Sequence, residues 1–363
     1  MTNNIYTYVR ERGHLPFEND PLNEADNLVF SVLVYLDLSE VIPSGIGTEV
    51  SLDQAARKYF RIHGVPGTSR DDGSNSSDAL QHLFLRMALA PRFRDMKLSG
   101  YKEILDPVRS EQFTAMCIRY MEDAVFVVYR GTSDSLIGWR EDFLLAATGR
   151  IPSQADALRY LKRAFIRYPK CRFDVGGHSK GGHLAVYASA LAPAPIRKRI
   201  CNVWSNDGPD LEVSRREMEG YRDLQERIRL YVPKDSLASM IYSHGEHYRV
   251  VDSAAKGVVS HDAKTWLIED GKFVILSERE PRSFLREKKI RRWMDALPQE
   301  DRIHFVQVFF DVLYATGADT FPKILGLGRR AAASAFLEFM RKPRKDRKLL
   351  RDFMLLLIDV IRS

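Results

Sequence analysis

Residues 171–191 read CRFDVGGHSKGGHLAVYASAL. The short segment RFDV has the apolar character of a strand, and GGHLAVYASAL that of a helix. Between them lies Gly177-His178-Ser179-Lys180-Gly181, a G-x-S-x-G. A strand, a sharp turn and a helix around this pattern lift the serine hydroxyl to the tip of the turn. Gly177 and Gly181 fall where neighbouring backbones crowd and a Cβ would collide. The helix N-terminus beneath the serine favours developing negative charge. Ser179 therefore reads as a catalytic nucleophile. The competing reading is a structural glycine-rich turn.

The rest of the chain constrains that choice. It has 363 residues, 45% hydrophobic and 28% charged, ordinary values for globular domains with a substantial core. Cys117, Cys171 and Cys201 are odd in number and far apart, which suggests neither a disulfide framework nor a zinc site. A reducing, cytoplasmic setting fits them. The N-terminal stretch lacks the apolar core of a signal peptide, so none is expected. The runs LVFSVLVYL and FMLLLIDVI fall short of the roughly 20 residues a bilayer span needs.

Charge is unevenly placed. Residues 279–363 hold 19 basic and 11 acidic side chains, leaving 36 and 37 for the rest of the chain. A neutral body and a basic tail imply two units, a first domain over 1–278 and a basic α-helical extension over 279–363.

Strands are expected at 112–121 and 124–130, joined as a hairpin by Glu122-Asp123, and at 171–175, 200–205, 228–232, 248–252 and KFVIL after Trp266. Helices are expected over 22–38, near 138–148, over 154–167 and after Ser179. Alternating strands and helices indicate an α/β class, a mostly parallel sheet flanked by helices with an antiparallel element at the hairpin. Residues 66–78 read as a loop, and 66–100 as a candidate lid or wall over the site.

A serine hydroxyl needs a base. His183 lies one turn into the elbow helix and reads as structural. His244 and His247 sit in a loop, and His304 on an apolar face of the tail. His261, in GVVSHDAKTW after a late strand, is where the base belongs in the order Ser, acid, His. For the acid, Asp235 follows IRLYV and Asp207 follows ICNVWS; Asp235 is slightly preferred and Asp207 is the alternative. Asp262 adjoins the histidine and points elsewhere. Oxyanion donors are the backbone N–H groups of Lys180, after the nucleophile, and Thr132, in the turn RGTSD. The Lys180 side chain offers either a bias toward anionic substrates or a solvent-facing charge.

VVYRGTSDSLIGWREDF together with GGHSKGGHLAVYAS resembles the class 3 lipases, which pair an R-G-T turn with a G-H-S-x-G-G elbow. The chain is more closely similar to a bacterial family of lipase-like α/β-hydrolases. The matching motifs are Asp26-Asn27 through Asp37, Arg130 to Phe143, Gly176 to Ala188, Ser205 to Pro209, and His261-Asp262 with Trp266. The resemblance spans roughly residues 20–277. It implies Ser179 as nucleophile, His261 as base, and Thr132 with Lys180 as oxyanion donors. The class 3 pattern points to Asp235 as acid, while the SNDGP motif keeps Asp207 in play. The expected activity is hydrolysis of a small acyl or lipid-like ester without metal or organic cofactor. The alternative is an inactive binding or regulatory protein on the same scaffold. Residues 341–363 join a basic run to an apolar helix, a pattern suited to a solvated packed helix or to weak membrane-surface contact; nucleic acid is not expected.

Overall fold

The computed structural model describes residues 3–67, 76–211, 218–236, 248–326 and 328–362. Its centre is a nine-stranded sheet in the order β1-β2-β3-β4-β5-β6-β7-β8-β11. The strands are β1 (Val50–Ser51), β2 (Lys97–Asp106), β3 (Glu111–Met121), β4 (Ala124–Tyr129), β5 (Arg172–His178), β6 (Ile200–Asn206), β7 (Ile228–Pro233), β8 (Tyr248–Val251) and β11 (Ile275–Leu276). Strands β4 to β8 run parallel. β1 to β4 pair antiparallel on one side, and β11 pairs antiparallel with β8 on the other. A small hairpin, β9 (Ile268–Glu269) with β10 (Lys272–Phe273), stands apart. This is the α/β-hydrolase-like architecture expected from the sequence.

Helices flank both faces. They are α1 (Ile5–Arg12), α2 (Glu24–Leu33), α3 (Leu52–His63), α4 (Ser76–Leu89), α5 (Pro91–Arg94), α6 (Leu136–Thr148), α7 (Pro152–Arg167), α8 (Lys180–Ala190), α9 (Ala194–Arg197) and α10 (Glu219–Arg222). Alternation along β4 divides two cores. Phe126 and Val128 face α1 to α4, while Val125, Val127 and Tyr129 face α7 and α8.

The sequence reading missed β2. KLSGYKEILD breaks strict alternation, and the structure shows why. Its pairing with β3 shifts register between Ser99 and Lys102, a bulge that displaces the side-chain pattern. The described residues of 66–100 pack into the body rather than stand as a lid. Leu83, Phe84 and Met87 of α4 are fully buried in the first core, and 97–106 belongs to the sheet. Residues 68–75 of that stretch are outside the described residues. KFVIL divides between β10 and β11.

After β11 come α11 (Pro281–Asp295), α12 (Gln299–Tyr314), α13 (Phe321–Gly326), α14 (Arg329–Arg341) and α15 (Arg344–Arg362). Their apolar stripes meet in a third core. It joins Phe305, Val308 and Phe310 of α12 and Phe353 of α15 to Leu136 and Ala147 of α6. Phe143 stacks on Phe309 with ring centres 5.4 Å apart. Among the described residues, no helix is long and apolar enough to cross a membrane.

A buried charge pair ties the N-terminal helices together. Arg92 grips Asp26, donating Nε to Oδ1 at 2.9 Å and an Nη2 hydrogen to Oδ2, and both side chains are fully shielded. Arg92 also donates to the carbonyls of Leu15 and Asp20 at 2.8 Å. Removing one partner leaves the other charge buried alone, which costs about 3–5 kcal/mol. Arg92→Met should therefore lower unfolding free energy by about that amount in urea titrations.

Candidate active site

The site is built around the turn between β5 and α8. Ser179 has φ 57° and ψ −133°, a left-handed conformation rarely held by a residue with a side chain. Its N–H donates to the Asn206 carbonyl at 2.9 Å. The glycines permit the turn. A Cβ on Gly177 would stand 2.5 Å from the Tyr129 carbonyl oxygen and 2.6 Å from that of Gly181. A Cβ on Gly181 would collide with the Tyr129 carbonyl.

The RGTSD turn abuts this elbow. A Cβ on Gly131 would lie 2.5 Å from the His178 carbonyl oxygen and 3.0 Å from the Ser179 Cβ. Gln112 of β3 shapes the turn, accepting from Ser133 N at 2.9 Å and donating to Ser135 Oγ at 3.0 Å. The backbone N–H groups of Thr132 and Lys180 make no hydrogen bond among the described residues. Thr132 Oγ1 is buried beside the Asp142 carboxylate. The two expected oxyanion donors thus flank Ser179.

His261 meets Asp207. Its Nδ1 donates to Asp207 Oδ2 at 2.6 Å, so the neutral ring keeps its lone pair on Nε2. Ser236 Oγ lies 2.6 and 2.8 Å from the two oxygens of the same fully buried carboxylate. Asp207 itself stands at φ 53°, with its N–H on the Tyr231 carbonyl at 2.7 Å. Burial pushes the His261 pKa down, but the Asp207 charge and hydrogen bond push it up, and the net shift is upward from 6.5.

The preferred acid of the sequence reading, Asp235, points elsewhere. Its carboxylate accepts from Arg286 at 2.9 Å and from Gly257 N at 2.6 Å. It ties α11 to the turn that carries His261. Asp262 caps Lys264 N at 3.0 Å, away from the imidazole as expected. His183 bridges Gln154 and the Pro209 carbonyl, each at 2.9 Å, as a structural group. His304 pairs with Asp346 at 3.0 Å within the extension. His244 and His247 lie outside the described residues.

Lys180 corrects the expectation of a substrate-facing or solvent-facing cation. Its ammonium is buried against Glu141 and donates to the Gln112 carbonyl at 2.8 Å. Glu141 also accepts from Gln112 N at 3.0 Å and Ser153 N at 3.2 Å. The side chain pins the start of α8 to β3 and α6.

Three supporting groups lie in motifs that the sequence reading quoted without giving them a role. His178 accepts from the Tyr35 hydroxyl on Nδ1 at 3.1 Å, and its Nε2–H donates to the His261 carbonyl at 2.8 Å. The His178 and His261 rings are 4.6 Å apart. Burial, then the neighbouring His261, pushes the His178 pKa down to about 4 and keeps it neutral. Asn206 donates to Gly177 O at 3.2 Å and is gripped by Asn27 and Ser31 of α2. The buried polar Asn27 in an apolar helix was the available signal. Trp266, fully buried, donates to the Ser260 carbonyl at 3.0 Å and steadies the histidine turn. Among the described residues, no group of His, Cys, Asp and Glu is arranged to hold a metal ion.

The Mbeg1-like family model matches residues 87–311, more than half of the chain, and the chain belongs to that lipase-like family. No curated protein matches it.

Because Lys180 is buried and paired, Lys180→Met should cost about 3–5 kcal/mol in chemical denaturation. Relative rates on neutral and carboxylated esters should not change with it.

Proposed function

We propose that this Mbeg1-like protein is a serine hydrolase that cleaves carboxylic esters of acyl or lipid-like type through Ser179, His261 and Asp207. The observation that carries the reading is the His261–Asp207 hydrogen bond of 2.6 Å beside a serine held at φ 57°. Asp207 takes the place the sequence reading first gave to Asp235. It orients the imidazole and stabilises the imidazolium that forms when Nε2 accepts the Ser179 proton. The serine oxygen attacks the ester carbonyl. The N–H groups of Thr132 and Lys180 stabilise the tetrahedral oxyanion. The protonated His261 then gives its proton to the leaving alcohol. Water repeats the sequence on the acyl-enzyme and releases the acid. His178 acts through the His261 carbonyl as a positioning residue.

The acid limb of activity follows from the sign of the His261 shift. The base works only when neutral, and its pKa is raised above 6.5 by Asp207, aided by Asp262 and Asp142. Activity should rise with pH through that raised value. Asp207→Asn removes the largest upward influence, so its residual activity should keep an acid limb at lower pH.

Contact with an anionic membrane surface is a second reading, for the tail alone. Met354, Leu355 and Ile358 of α15 are exposed beside Arg351 and Lys348. Liposome flotation with Leu355→Ser/Ile358→Ser tests it, with loss of anionic-vesicle binding expected.

A fluorophosphonate probe tests the central reading. It should label the wild type and not Ser179→Ala; absence of labelling of folded wild type would sink the enzyme assignment. On a short-chain ester, Asp207→Asn should lower kcat by about 10,000-fold. Asp235→Asn should stay within about tenfold of wild type, because its carboxylate does not reach the imidazole.

A further inference from the structure

A cleft of about 400 Å³ opens between the turn at Ser44–Ile46, strand β2 and helix α7. Its α7 wall presents Arg159, Tyr160, Arg163, Ile166 and Arg167, the spacing of one helical face. Lys102 and Tyr101 come from β2. Four cations therefore converge on one concavity, whose walls hold the nearly buried Tyr101 and Tyr160.

Local backbone features build this concavity. The β2 bulge between Ser99 and Lys102 re-aims Tyr101 and Lys102. Gly100, at φ 68°, sits within it, and a Cβ there would meet Ile46 Cγ1 at 2.6 Å and Tyr160 Oη at 2.7 Å. Gly47, at φ 83°, leaves the space that Arg167 fills; a Cβ would lie 2.7 Å from Arg167 Cγ. Beneath them the buried Asp156 carboxylate holds Lys102 at 3.1 Å and Arg159 at 2.6 Å. Those two cations are thereby positioned in advance. Arg163 and Arg167 have no carboxylate partner among the described residues.

We propose that this cleft binds a phosphate-bearing ligand, its phosphate on Arg163 and Arg167 with Lys102 and Arg159, and its apolar part against Ile46, Tyr101 and Ile166. Guanidinium forks match phosphate oxygens with paired hydrogen bonds. The site is separate from Ser179. Lys102 lies three strands from β5, about 14 Å across the sheet. The proposal therefore does not rest on ester hydrolysis.

Inorganic pyrophosphate titrated calorimetrically into the full chain is the test. Binding should be saturable, equal in wild type and Ser179→Ala, and weakened at least about tenfold in Arg163→Glu/Arg167→Glu. Arg57→Glu/Arg94→Glu, with the same net charge change at exposed positions elsewhere, should bind as wild type. All variants are checked for native circular dichroism and melting temperature. No saturable pyrophosphate binding, or equal weakening in the control variant, overturns the proposal.

Phosphatidylcholine vesicles with and without phosphatidic acid separate the two sources of phosphate. Phosphatidic-acid-dependent capture that pyrophosphate competes away, and that Arg163→Glu/Arg167→Glu loses, identifies a lipid headgroup. Saturable pyrophosphate binding without such capture identifies a soluble phosphate.

Discussion

Ser179 stands in a left-handed conformation that costs about 1–3 kcal/mol and persists only where its surroundings over-determine it. Much of the structure does that work. Gly177 and Gly181 let the Tyr129 carbonyl press into the turn. Asn206 takes the Ser179 N–H on its carbonyl and gives its own amide to Gly177. Asn27 and Ser31 grip that amide from α2, so a helix far away in sequence fixes the strand ends on which the elbow rests. Asp26, beside Asn27, anchors α2 in turn through Arg92. The strain at one residue is thus spread over buried hydrogen bonds reaching back to the N-terminal helices.

A second set of contacts holds the loops that face the serine. Lys180 and Glu141 tie α8 to β3 and α6, and Gln112 shapes the RGTSD turn from the same strand. The C-terminal helices brace this side. The Leu136 N–H donates to the Asp319 carbonyl at 2.8 Å, and the Phe321 N–H to that of Asp134 at 3.1 Å. On the other side Arg286 of α11 reaches Asp235, whose carboxylate caps the histidine turn at Gly257. The basic extension therefore touches both loops of the site, and its core is shared with α6.

Much of the fold was legible because its signals are local. The short apolar runs of β3, β4 and β6 and the helical periods of α7 and the tail follow from the side-chain pattern alone. β2 escaped because a bulge at Gly100 breaks the alternation on which such reading depends. The helix start expected near residue 22 was sound locally, since Asn23 caps α2 and Asp26 closes the capping box. What it could not convey is that Asn27 reaches Asn206 across 179 positions.

The elbow, the RGT turn and the late histidine were set out by the sequence itself. Each depends on glycine, serine or histidine at positions whose backbone demands are local. The partner of His261 was decided by tertiary structure. Asp207 and Asp235 follow neighbouring strands, and chain order places both at the same end of the sheet. Only the backbone turn at φ 53°, the Ser236 hydroxyl and the claim of Arg286 on the rival carboxylate separate them. Lys180 followed the same rule. Its place after the serine was readable, but the direction of its ammonium depended on a glutamate 39 residues earlier, brought beneath it by the packing of α6 on β3.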